Sequence, residues 1–236
     1  MKNKKTDNKQ YKTVVITGAG SGLGRTLAYR FYETSIFNVC LIGRNKGKLL
    51  ETAKLFDSKH NLCIPCDIRN YQEVNKAFKK IKNTYKKIDV LINNAGIFKM
   101  IPINQTSPKI WDNILKTNTY GTFYCTREAV QIMKRINNGG RIINILSIVA
   151  EKNLPFNSAY AASKYAVRGL MNSLREECKD KNIYISNILP SKIDTDIWNK
   201  KDKSKSQSPE ELADIIYCLS TKKTSYATDI SLLPIY

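Results

Sequence analysis

Val14-Val15-Ile16-Thr17-Gly18-Ala19-Gly20-Ser21-Gly22-Leu23-Gly24 is the stretch that decides the fold. It opens on an apolar, β-branched run of strand character, and Gly24 to Thr34 reads as a helix. The glycines between can take φ > 0 and let a ligand approach the backbone. The helix start offers free N–H groups to an anion such as a pyrophosphate. Glycines also collect in plain turns. Placement between a first strand and a first helix makes this a phosphate loop, spaced Gly18-x-x-x-Gly22-x-Gly24, with Ser21 and Leu23 as its other binding candidates.

Outward from the loop, apolar runs alternate with longer amphipathic segments. Strands are expected at Asn38 to Gly43, Leu62 to Cys66, Ile88 to Asn93, Arg141 to Ser147, Ile183 to Leu189 and Asp229 to Leu233. Helices are expected at Lys46 to Phe56, Val74 to Tyr85, Thr117 to Ile136, Ser158 to Lys179 and Pro209 to Leu219. Continuously apolar strands belong to a sheet covered on both faces, and right-handed crossovers then wind it doubly. The expected class is α/β, a Rossmann-like doubly wound sheet of about seven parallel strands flanked by helices on both faces. Residues 11–236 are expected to form one domain, with a short substrate lid near 191–207, behind a flexible basic tail at 1–10.

With 236 residues and 42% hydrophobic content, the chain has enough material for a full core. No apolar run reaches the roughly 18 residues that span a bilayer, and Met1 to Gln10 lack the apolar stretch of a signal peptide. A cytoplasmic protein without a membrane partner is the expectation. Cys40, Cys63, Cys66, Cys125, Cys178 and Cys218 are scattered, mostly in apolar runs, as reduced and packed thiols are. Cys63 and Cys66 lie in a strand-like run, away from the helix start that activates a redox pair. His60 is the single histidine, so no metal site is expected. The formal charge of +19 comes from lysines spread along the chain, without an arginine stripe interleaved by aromatics, and no nucleic-acid partner is expected.

At the end of the second strand, a site for a free ribose 2′-hydroxyl would place a carboxylate. Gly43-Arg44-Asn45 stands there instead. Arg44 can pair with a 2′-phosphate through a charge-assisted fork, or simply stand solvated before the next helix. The first reading favours NADP(H) over NAD(H).

Tyr160 and Lys164, in Tyr160-Ala161-Ala162-Ser163-Lys164, are four apart and share one helix face. Hydride addition to a carbonyl leaves charge on oxygen, so such a site needs an acid beside that oxygen and a cation to tune it. A phenol titrates near 10, and a neighbouring ammonium favours its ionised form. Ser147 ends the fifth strand and can hold the substrate oxygen in reach of the phenol.

Thr17-Gly18-x-x-x-Gly22-x-Gly24, Asn93-Asn94-Ala95-Gly96, Thr117-Asn118-Thr119-Tyr120-Gly121, Ser147 and Tyr160-x-x-x-Lys164 together resemble the short-chain dehydrogenase/reductase family, over nearly the whole chain from Lys12. The resemblance implies an enzyme moving hydride between a nicotinamide and a carbonyl or secondary alcohol. Tyr160 would be its general acid/base, Lys164 its nicotinamide-ribose ligand, Ser147 its substrate-orienting hydroxyl and Asn118 part of a proton relay. Asp67, in Cys66-Asp67-Ile68, matches the residue that accepts from the adenine amino group; an Asp there also serves as a helix cap. Asn94, Ala95 and Gly96 would line the adenosine ribose. Pro190, Ile193 and Thr195 would flank the nicotinamide, with Thr195 on its carboxamide. Ser191 departs from the family's usual glycine. Family members pair through the helices matching Thr117 to Ile136 and Ser158 to Lys179, so a homodimer or homotetramer is expected.

The segment from Lys192 to Gln207 is short for a family lid, and its Lys200, Lys201, Lys203 and Lys205 can attract an anionic group or stand solvated. Ile97, Phe98, Val149, Asn153 and Phe156 suggest a partly apolar pocket. A non-catalytic NADP(H)-binding regulator on the same fold is the alternative. The four catalytic candidates weigh against it.

Overall fold

The computed structural model describes residues 11–56, 60–135, 139–152, 154–194, 206–222 and 224–235. The expected basic tail lies outside them. Seven strands are described: β1 (Lys12–Thr17), β2 (Phe37–Gly43), β3 (Asn61–Pro65), β4 (Val90–Asn93), β5 (Gly140–Ile145), β6 (Ile183–Pro190) and β7 (Asp229–Leu232). All pair in parallel, in the order β3-β2-β1-β4-β5-β6-β7. The helices are α1 (Gly22–Glu33), α2 (Lys46–Ala53), α3 (Tyr71–Tyr85), α4 (Pro108–Leu115), α5 (Gly121–Arg135), α6 (Ser158–Cys178) and α7 (Pro209–Thr221).

Strand alternation builds two cores. Val14 and Ile16 face a layer that contains Leu27 and Phe31 of α1, Leu49 of α2 and Ile216 of α7. Val15 faces the opposite layer, with Phe78 of α3, Ala129 of α5 and Met171 of α6. Burial on both sides is why these strands read as unbroken apolar runs. The strand order reverses between β1 and β4, and the crevice above their C-terminal ends is where such folds take ligands.

Two features depart from the expected helices. α4 was not expected. Ser107 caps it by accepting from the Ile110 N–H (3.3 Å), and Pro108 opens it where a missing N–H costs nothing. The helix expected from Thr117 begins as α only at Gly121, because Lys116–Tyr120 form a π-helical turn. That turn carries Asn118 into the interior. Gly121 follows it against Ile68, whose Cδ1 would lie 2.6 Å from any added Cβ.

The register of the sheet's second half is held by polar side chains. Asn93, Asn144, Asn187 and Asp229 occupy one row across β4, β5, β6 and β7. Asn93 Nδ2 donates to Asn144 Oδ1 (2.9 Å), Asn144 Nδ2 to Asn187 Oδ1 (3.0 Å) and Asn187 Nδ2 to Asp229 Oδ1 (2.9 Å). A slip of one residue would break every bond and turn the apolar set to the wrong face. Asn144→Ala leaves the Asn187 amide oxygen without this donor in a dry interior. The expected cost is about 2 kcal/mol, read as a lower denaturant midpoint with an unchanged m-value.

Candidate active site

A cleft of about 520 Å³ opens at the C-terminal ends of β1, β2 and β4. Gly18, Ser21, Gly22, Leu23 and Gly24 line one wall. Gly18 and Gly22 have φ of +67° and +50°, and a Cβ on Gly24 would meet the Gly18 carbonyl oxygen at 2.2 Å. Two carbonyls of this loop are taken by side chains of α1 and α2. Thr52 Oγ1 donates to Ala19 O (3.1 Å), and Arg25 Nη2 donates to Gly20 O (2.9 Å). Ser21 is the N-cap of α1 in an extended conformation, its side chain makes no cap bond, and no acid stands in the first turn. The first-turn N–H groups are thereby left to an anion.

Asn94, Ala95 and Gly96 line the facing wall. Asn94 also knots the sheet's two halves. Its side chain donates to Thr17 O (2.9 Å), and the Asn94 and Ala95 N–H groups both donate to Thr17 Oγ1 (3.0 Å each).

At the far end Arg44 reaches the cleft beside Asn45 and Lys48. Asn45 caps α2 by accepting from the Lys48 N–H (3.0 Å). Asp67 and Ile68 line the same end. Asp67 is not the cap of α3, which is Asn70, accepting from the Gln72 and Glu73 N–H groups. Burial works to raise the Asp67 carboxyl. Hydrogen bonds from Arg69, the shortest at 2.6 Å, overcome this and hold it below the usual range.

Tyr160 and Lys164 face the opposite end from the first turns of α6. Ser147 lies two residues past β5 rather than within it, and it caps a short 3₁₀ turn, accepting from the Val149 N–H (3.3 Å). Its hydroxyl stands beside the Tyr160 phenol, near enough to favour the ionised form. Lys164 is buried, with Nζ donating to Ile145 O (2.7 Å) and lying 5.6 Å from the Tyr160 ring centroid. The Phe98 ring meets Tyr160 edge-on at 4.9 Å. Asn118, also buried, clasps the chain after Gly96. It accepts from the Ile97 N–H (2.8 Å), and its amide donates to Ile97 O (2.9 Å) and Ser163 Oγ (3.0 Å).

One expectation is overturned in direction. The ammonium was expected to lower the phenol. Burial instead pushes Tyr160 up to about 12, against a lowering pull from the Ser147 hydroxyl. Burial likewise pushes Lys164 down to about 8. Removing both groups from water disfavours both charged forms.

Of the residues singled out in the sequence, Ile193 also reaches the cleft, while Pro190 is buried as the last residue of β6 and is not part of its wall. The Ser191 N–H donates to Leu232 O (3.0 Å) and Gln207 Oε1 (3.1 Å). Thr195, Asn153 and the lysines at 200–205 fall outside the described residues. Gly20, Asn45, Lys48, Thr117 and Leu146 line the cleft without having been singled out. Lys48 stands in the first turn of α2, four residues after Arg44, and a second cation so close in sequence was a usable signal.

Residues 12–206 match the family model for short chain dehydrogenase. An uncharacterized oxidoreductase of Staphylococcus aureus strain USA300 is 30% identical over 228 residues, covering 95% of this chain and 97% of that one. Among solved structures, ElxO with NADP bound is 27% identical, with a TM-score of 0.86 over 94% of this chain and 96% of its own. The alcohol dehydrogenase of the archaeon Thermococcus sibiricus, complexed with 5-hydroxy-NADP, shares the fold at 21% identity, with a TM-score of 0.88 over 96% and 97% of the two chains. Among the described residues, no helix is long and apolar enough to cross a membrane.

The tight turn makes a direct test. Gly24→Ala drives a Cβ into the Gly18 carbonyl, so dinucleotide affinity in a fluorescence titration should fall at least tenfold, about 1.4 kcal/mol or more. The far-ultraviolet circular dichroism should keep its α/β shape.

Proposed function

We propose, from the premise that this chain belongs to the short-chain dehydrogenase family and is an oxidoreductase, that it prefers NADP(H) over NAD(H) and interconverts a carbonyl and a secondary alcohol with Tyr160 as general acid/base. The observation that carries this reading is the meeting of Tyr160 and buried Lys164 at one end of a glycine-walled cleft, with Ser147 next to the lining residue Leu146. The cleft suits a dinucleotide: its glycines stand where side chains would collide, and the start of α1 is uncapped. When bound, the nicotinamide supplies or takes up hydride.

Gly18, Ser21, Gly22, Leu23 and Gly24 hold the pyrophosphate. Asn94, Ala95, Gly96, Asp67 and Ile68 hold the adenosine. Arg44 takes the 2′-phosphate, and the absence of a carboxylate in Gly43-Arg44-Asn45 removes the group that would repel it. The NADP-type ligands of the two solved neighbours support the same preference. Ile193, which lines the cleft, stands on the nicotinamide side.

In the reducing direction the Tyr160 phenol donates its proton to the carbonyl oxygen as charge develops there. Ser147 holds that oxygen beside the phenol. Lys164 stabilises the phenolate that remains and reaches the nicotinamide ribose. Asn118 fixes the strand-end chain at Ile97 and the helix at Ser163, and thereby the relay side of the site. A phenol pushed up to about 12 stays protonated at neutral pH, which suits the acid role.

We infer further that two copies pair through α5 and α6. Phe123 and Tyr165 are exposed there, and Gly169 of α6 has nothing within 4 Å of the place a side chain would occupy, so another backbone can approach.

Three outcomes are expected. NADPH should bind more tightly than NADH, and Arg44→Asp should reverse that order; equal or tighter NADH binding by the unaltered chain would overturn the preference. Tyr160→Phe should abolish turnover of a carbonyl panel while NADPH affinity stays within about twofold, a change of ~0.4 kcal/mol. For the pH dependence the sign follows from Lys164: its pKa is lowered to about 8, so the ammonium is present below that pH and lost above it. The kcat/KM for reduction should be level near neutrality and decline as pH passes through about 8.

A further inference from the structure

We propose that Arg168 is a positioning residue for the reaction, holding the turn that carries Ser147 against the helix that carries Tyr160 and Lys164. The proposal rests on the catalytic reading above and extends it to a residue outside the cleft.

Lys164 and Arg168 are one helical turn apart on α6. Each grips a main-chain carbonyl, one on either side of Ser147. Lys164 Nζ donates to Ile145 O (2.7 Å), and Arg168 Nη1 donates to Ala150 O (2.8 Å). Between these two ties lies Ser147, whose own hydroxyl accepts from the Val149 N–H (3.3 Å). The turn also packs on α6, with Ile148, Val149 and Ala150 buried and Ala150 in one cluster with Val167 and Met171, but among the described residues the directed side-chain bond from α6 to it beyond Ser147 is that of Arg168. The turn's internal bonds, Ala150 N–H to Ser147 O (2.9 Å) and Val149 N–H to Ser147 Oγ (3.3 Å), set its shape and not its placement.

A long guanidinium is a useful tie only if it is itself held. Arg168 Nε donates to Asp229 Oδ2 at 2.8 Å. Asp229 is in turn fixed by Asn187 Nδ2 (2.9 Å) and by Arg175 Nη2 (3.2 Å), at the end of the amide row that runs through Asn144 to Asn93. The fork of an arginine can serve a carboxylate and a carbonyl together, which a lysine cannot do in the same geometry. A second link from the same strand, Ser231 Oγ to Glu151 Oε2 (2.5 Å), ties the far side of the turn. The sheet's register is thus transmitted to the Ser147 hydroxyl through Asp229 and Arg168. Displacing a catalytic hydroxyl by about 1 Å costs up to 10²-fold in rate.

The experiment uses the full chain and NADPH with a carbonyl that the unaltered enzyme reduces. Arg168→Gln should lower kcat about tenfold while NADPH affinity by fluorescence titration stays within twofold. In a Ser147→Ala background, assayed at enzyme concentrations that expose its residual rate, the same substitution should change kcat less than twofold, because the hydroxyl it positions is gone. In the free protein, hydrogen exchange at Ala150, Glu151 and Lys152 should speed up, with α5 unaffected. Arg168→Lys, which keeps the charge and one bond, should recover part of kcat; it also serves as the test should Arg168→Gln fail to fold. An equal fall in both backgrounds, or an unaltered kcat and exchange pattern, would overturn the proposal. An unaltered chain that binds no NADPH would instead overturn the catalytic reading, and this one with it.

Discussion

The structure depends on how its two half-sheets are joined where the strand order reverses. The chains leaving β1 and β4 go to opposite faces of the sheet and so open a cleft at the strand ends, and a cleft is a gap in packing. Thr17 and Asn94 bridge it with side-chain and main-chain bonds of 2.9–3.0 Å. The same residues begin the phosphate loop and the facing wall. One small polar knot therefore sets the width of the site and keeps the strand ends from closing over it. Around it two loop carbonyls are taken by Thr52 and Arg25, and the uncapped start of α1 leaves its N–H groups to an anion. The backbone's orientation acts together with Arg44, Lys48 and Lys164, which line the same cleft.

At the other end of the cleft the dominant force is desolvation. Lys164 is pushed down and Tyr160 up because neither charged form is welcome there. In the proposed reaction this favours a protonated phenol beforehand and penalises the phenolate afterwards. The compensation has to come from directed bonds. The Ser147 hydroxyl and the Lys164 ammonium are the groups within reach, and both are held by the main chain around β5 and its following turn. Preorganised dipoles act strongly because they need not reorient as charge appears.

Much of this was legible in the residues. The glycine loop, Arg44, the Asn94 wall and the Tyr160/Lys164 pair each sit on a short local pattern, and short patterns survive without coordinates. The seven strands were readable because burial on both faces leaves continuous apolar runs. What was not readable depended on contacts between distant elements. The π-helical turn at Lys116–Tyr120 has ordinary helical composition, and its shift of register follows from packing of Gly121 on Ile68. Asp67 looked like a possible cap, yet Arg69 two residues on engages its carboxylate while Asn70 takes the cap. The direction of the Tyr160 shift could not be taken from the neighbouring lysine alone, since burial decides it.

The amide row across β4 to β7 joins these two kinds of information. Asn93, Asn144, Asn187 and Asp229 stand far apart in the chain, and each alone reads as a polar residue interrupting a strand. Aligned by the register, they become one hydrogen-bonded line ending on two arginines of α6. A wholly apolar row would pack at least as well, and such substitutions are often neutral or stabilising. Polar partners add direction: an amide row tolerates one register and one orientation of each strand. In a site where a hydroxyl, a phenol and an ammonium must converge from β5 and α6, that selectivity is what an apolar core cannot provide.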